Sequence, residues 1–198
     1  VEPLPQRIKT YCFWGVVSGI VFFSVYPTCN WLTSLRSDPY QFYLQSELAV
    51  PFLPEWIWVY LSMYVLFLAP PFFLDCGGLA RLGKQLITTT LAAGFTYLLV
   101  PATLGFERVA PENGFLRDFY LKIFEVDKPH NLIPSLHVIW STALALAVVE
   151  KATPPWRLFF LGWAAAIALS TLFVHQHHVI DLVVAVVFVM VARMTIRE

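Results

Sequence analysis

Two histidines and a carboxylate stand at the ends of strongly apolar segments: His137 in Pro134-Ser135-Leu136-His137, and His177 and Asp181 in His177-His178-Val179-Ile180-Asp181. An ionisable side chain at membrane depth costs roughly 3 kcal/mol near a helix centre, so such residues tend to mark function. His177 and Asp181 are four apart and share a helical face, where they can hydrogen-bond. A carboxylate on one ring nitrogen fixes the tautomer and leaves the other as a nucleophile or base. Ser170, seven residues before His177, joins that face if the helix extends backwards and the His175-Gln176 turn does not break it. The plainer alternative is an ion pair that merely holds two helices together. Pro134 suits the first turn of a helix, whose free N–H groups attract anions. There Ser135 adds a hydroxyl and His137 can protonate a leaving oxygen. The plainer reading here is an ordinary helix cap with a boundary histidine.

The stretch between these motifs and the preceding apolar run supplies cations. Arg108 suits bidentate recognition of phosphate oxygens, and Lys128 acts as a point charge, with Asn131 as a neutral donor beside it. Arg117 and Lys122 read as solvated loop charges. The three cysteines, Cys12, Cys29 and Cys76, have neither disulfide nor zinc spacing, so no metal site is expected.

The elements that must position these residues are long and apolar. The 198 residues are 58% hydrophobic and 13% charged, about half the charge of a soluble domain. Mean hydropathy is +0.67. Thirteen basic and thirteen acidic residues cancel, which argues against nucleic acid as a partner and against a polybasic anchor. Seven Trp and eight Tyr suit a membrane–water boundary. A span needs about 20 apolar residues. Six segments approach this, near 10–27, 55–75, 85–105, 135–150, 156–174 and 178–195. The first lacks a small-residue cleavage site and reads as a span, not a signal peptide. No period-two run suggests a barrel, so the expected fold is all-α: one integral membrane domain over 1–198, built as a six-helix bundle.

Loops are expected at 28–54, 76–84 and 106–134, the last with a surface helix at 114–125 bearing Leu116, Phe119, Tyr120, Ile123 and Phe124 on one side. Eight Lys and Arg fall on the side of the termini and five on the other. The positive-inside rule then puts both termini in the cytoplasm of a plasma or inner membrane, and both histidine motifs outside.

Over residues 84–198 the chain resembles the type 2 phosphatidic acid phosphatase superfamily, the lipid phosphate phosphatases. That family carries K-x6-R-P, P-S-G-H and S-R-x5-H-x3-D. Here the second motif is Pro134-Ser135-Leu136-His137, and the third is Ser170-Thr171, five residues, His177, three residues, Asp181. Thr171 replaces the third motif's Arg. Pro101 stands where the first motif's Lys would precede Arg108, and Val109 where its Pro would follow. The resemblance implies His177 as nucleophile through a phosphohistidine, Asp181 as its orienting carboxylate and His137 as the acid. It implies Ser135 and Arg108 on the phosphoryl oxygens, with no metal and no cofactor; Lys128, Asn131 and Ser170 are further candidates for the phosphate. Hydrolysis of a lipid-linked phosphate or diphosphate is the first expectation. Pro-Ser-Leu-His and His-His-Val-Ile-Asp look closer to the branch with inositol phosphorylceramide synthases, so transfer of a phospho-headgroup between lipids is the alternative. Rivals from other classes are a b-type haem protein ligated by His137 and one of His175, His177 or His178, and a non-catalytic scaffold or transporter.

Overall fold

A proline in its first turn opens the longest helix, α1 (Leu4–Ser34), where the missing N–H costs nothing. Pro27 lies inside α1 without ending it, so the helix passes the expected end at 27 and reaches Ser34. The computed structural model describes residues 2–112, 114–126 and 128–197, which are helical with no strand among them.

The second apolar segment is not one helix. A 3-10 turn (Pro54–Trp56) leads into α2 (Ile57–Leu61), α3 (Met63–Leu66) and α4 (Pro70–Phe73). The Ser62 hydroxyl donates to the Val59 carbonyl at 2.6 Å, offering the backbone a competing bond at the first break. Pro70 and Pro71, without N–H groups, mark the second. Helix α5 (Cys76–Leu99) corrects two expectations: 76–84 is helix, not loop, and the helix stops short of 105. Asp75 is the cause at the start, its Oδ1 accepting from the Gly78 N–H at 2.7 Å as an N-cap. At the other end, residues 101–103 bond instead to Tyr40 of the first loop.

The remaining elements fall close to expectation: α6 (Phe115–Val126), α7 (Leu136–Val149), α8 (Pro154–Phe173) and α9 (Val179–Thr195). On α6, Tyr120 is buried, and Leu116, Phe119, Ile123 and Phe124 pack with it against Ile57 and Tyr60. The main core joins α1, α5, α7, α8 and α9 through Leu82, Leu86, Ile139, Leu144, Ile167 and Val189. Among the described residues two helices, α1 and α8, are long and apolar enough to cross a bilayer; α7 is apolar but shorter. Large apolar side chains stay exposed around the bundle, among them Phe23, Phe95, Leu158 and Met194.

One end of the bundle collects the termini. Glu2 accepts from the Cys76 N–H, Gln85 donates to Ile196, and Arg193 pairs with Glu150. The opposite end collects the loops that carry both histidine motifs. Between the two ends, α1 and α5 approach closely at Gly83, where an added Cβ would lie 2.6 Å from the Trp14 Cβ. That atom is fixed to its backbone and cannot swing aside. Gly83→Ala is therefore expected to push α1 off α5 and cost about 1–3 kcal/mol, read as a lower thermal midpoint.

Candidate active site

Helix α8 closes with a tight turn in which the Gln176 and His177 N–H groups bond back to the Thr171 carbonyl. His175 takes a left-handed conformation there (φ 54°), usually left to Gly or Asn at a helix end. His178 is the N-cap of α9 and Asp181 its third residue. Asp181 Oδ2 accepts from the His178 N–H at 2.8 Å and from His177 Nδ1 at 3.1 Å. The His177–Asp181 pair thus exists, but not as neighbours along one helix: Asp181 caps its own helix and catches His177 just outside it. Because a carboxylate only accepts, the proton sits on His177 Nδ1 and the Nε2 lone pair is left available. Asp181 is 1% exposed and His177 7%.

The same turn takes Ser170 out of this alignment. It lies on α8, wholly buried, and its hydroxyl donates to the Ile167 carbonyl at 2.6 Å. Thr171, in the place of the resembled family's Arg, is also buried and bonds Ala168.

The second motif meets the third through backbone: the Ser135 N–H donates to the Asp181 carbonyl at 3.3 Å. Pro134 stands before the cap, not in the first turn, and its carbonyl accepts from the Tyr97 hydroxyl at 2.6 Å. Ser135 is itself the N-cap of α7, with Oγ 3.4 Å from the Val138 N–H. His137, one residue into α7, shares a proton between Nδ1 and the Tyr60 hydroxyl at 2.9 Å, and the rings stack at 4.0 Å. His137 on α7 and His177 just before α9 lie on the two segments that the Ser135–Asp181 backbone bond joins.

The cations come from the segment before α7. Lys128 is exposed, and its carbonyl accepts from the Asn30 amide of α1 at 2.8 Å. The Asn131 amide donates to the Tyr26 carbonyl at 2.8 Å, so this residue anchors the loop to α1. Arg108 lies over the Phe124 ring of α6 at 4.8 Å. Burial, then the Lys128 and Arg108 charges, hold the half-buried His130 below the ordinary histidine range. A cavity of about 630 Å³ opens between α1, α3 and α7, with His137 and Lys128 in its wall. His177, Asp181, Ser135, Asn131, Ser170 and Arg108 are not among its lining residues.

A group of supporting residues carries no motif in the sequence. Glu47, from the 3-10 turn Gln45–Ala49, accepts from the Val179 N–H at 2.9 Å and pairs with His178 Nδ1 at 3.1 Å. The Gly105 N–H donates to His178 Nε2 at 3.0 Å, so both nitrogens of that ring are used. Tyr43, His178, Phe106 and His175 form a continuous stack with centroids 4.0–4.6 Å apart. His175 Nε2 donates to the Val50 carbonyl at 2.9 Å. His178 therefore has no lone pair for a haem iron, and His175 is held flat against Phe106. Nothing in the local pattern marks Tyr60; a lone acidic residue in the aromatic 40–53 stretch is the available signal for Glu47. Compared with known family models and curated proteins, the chain matches none.

Proposed function

We propose that this chain is a membrane-embedded lipid phosphatase, with six spans, cytoplasmic termini and its site at the extracytoplasmic interface. The observation that carries the reading is the Ser135–Asp181 backbone bond, which joins two motifs forty residues apart beside an oriented His177. The ring of exposed apolar side chains supports lipid around the bundle, since soluble monomers rarely expose such area. The short helices α7 and α9 cross with the help of their flanking loops.

In this reading, His177 Nε2 attacks phosphorus and the P–O bond to the lipid breaks. His137 gives its proton to the departing oxygen and later takes one from the water that cleaves the phosphohistidine. Asp181 holds the Nδ1 proton and stabilises the charge that develops on the ring. Lys128 and Arg108 supply positive field for the phosphoryl oxygens, and the chemistry calls for no metal or cofactor.

The test is a panel of lipid phosphates and diphosphates offered to the purified protein with and without EDTA. Phosphate release unaffected by the chelator, with acid-labile label trapped on His177, is the expected outcome. Label appearing in a new phospholipid, with no free phosphate, would replace hydrolysis by headgroup transfer. No turnover of any kind would sink the reading.

A further inference from the structure

The cavity beside His137 extends well beyond a headgroup. Its α1 wall is a single stripe from Gly19 through Phe22, Phe23 and Tyr26 to Asn30. The eleven helical steps from Gly19 to Asn30 make that stripe about 16 Å long. The facing wall is Phe67 and Trp140, and the aromatic rings brace one another: Phe22 stacks on Tyr26 at 5.2 Å and meets Trp140 edge-on at 5.4 Å. Two groups suited to phosphate, Lys128 and His137, lie toward the Asn30 end, where the Asn30 amide bonds the Lys128 carbonyl and His137 is the second residue of α7. At the far end is Gly19, where an added Cβ would meet nothing within 4 Å. An elongated apolar trough with a cation and an imidazole at one end matches an amphiphile with an anionic head.

We propose that this trough holds one hydrocarbon chain of the substrate, with its phosphate at Lys128 and His137, and that the missing side chain at Gly19 sets the chain length accepted. The assignment rests on the lipid phosphatase reading for the identity of the head, but the trough can be tested without turnover. Filling its far end excludes the distal methylenes, and mismatches of this kind in apolar pockets are worth roughly 10- to 200-fold.

The probe is hexadecylphosphonate brominated at mid-chain, whose C–P bond is not hydrolysed and whose bromines quench a nearby indole. Quenching of Trp140 is read as the difference between the protein and its Trp140→Phe variant. Saturable quenching is expected, with affinity lowered at least about tenfold in Gly19→Phe and unchanged in Gly15→Phe. Gly15 lies one turn away on α1, also faces open space and is outside the trough, so it controls for damage to the helix. Octyl phosphonate should be affected less than hexadecyl in Gly19→Phe. Absence of saturable Trp140 quenching, or equal effects of the two glycine variants, would overturn the proposal. Saturable quenching in a protein that releases no phosphate would uphold the trough and sink the phosphatase reading. Phosphate release without the quenching would do the reverse.

Discussion

His177→Ala is expected to remove phosphate release from lipid phosphates by about 10⁴-fold or more, because no other group supplies the attacking lone pair. The fold should survive. Asp181 Oδ2 keeps its bond from the His178 N–H when the ring is gone, so α9 stays capped. Asp181→Asn should differ in kind. It removes the charge that both orients His177 and caps α9, so turnover and thermal midpoint fall together. His137→Ala should cost roughly 10²- to 10⁴-fold with an alkyl leaving group and far less with a nitrophenyl one, which departs without a proton. Rates for these three variants on both substrate types, set beside their melting curves, check the assignment. Full activity in His177→Ala would remove the nucleophile and with it the proposed chemistry.

The sequence made the pairing of His177 with Asp181 legible, though for a different reason from the one it suggested. Spacing of four implied one helical face; the contact instead arises at a helix entrance, where Asp181 serves as cap and partner at once. Helix α6 was legible because its apolar stripe has the helical period and little competes with it. The start of α5 is masked in the sequence because Gly77-Gly78 with Arg81 and Lys84 resembles a loop, although Asp75 just ahead is a standard helix cap. Hydropathy makes 55–75 look like one span, because it does not register the Ser62 hydroxyl or the loss of donors at Pro70-Pro71. Tyr60 and Glu47 escaped for a shared reason: their partners lie 77 and 131 residues away. No local pattern encodes such contacts.

Glu47→Ala is expected to destabilise the protein by about 3–5 kcal/mol, because each buried donor left without its acceptor costs about 1–3 kcal/mol. The substitution leaves three donors without an acceptor: the Leu44 and Val179 N–H groups and His178 Nδ1. For a chain of this size that is a fall on the order of 10 °C in the thermal midpoint. Activity should drop with it, because Glu47 fixes the entrance of α9 immediately after His177. Glu47→Gln, which keeps an acceptor oxygen, should lose less. The pH dependence separates the carboxylate from its surroundings. Burial pushes the Glu47 carboxyl up, but the Val179 and Leu44 amides and His178 outweigh it and hold the group below its ordinary value of 4.5. Its contribution is therefore present above pH 4.5 and lost as pH falls through the lower folded value. Burial holds His175 below the ordinary 6.5, against the opposing bond to Val50. Its contribution is present above pH 6.5 and declines as the unfolded chain takes up a proton that the folded chain refuses. Melting curves from pH 8 to 3 should show both declines in the wild type. In Glu47→Ala the decline below about pH 4.5 should flatten while that below about 6.5 persists. A melting temperature unchanged by Glu47→Ala would show that the clamp over α9 does not hold the site together.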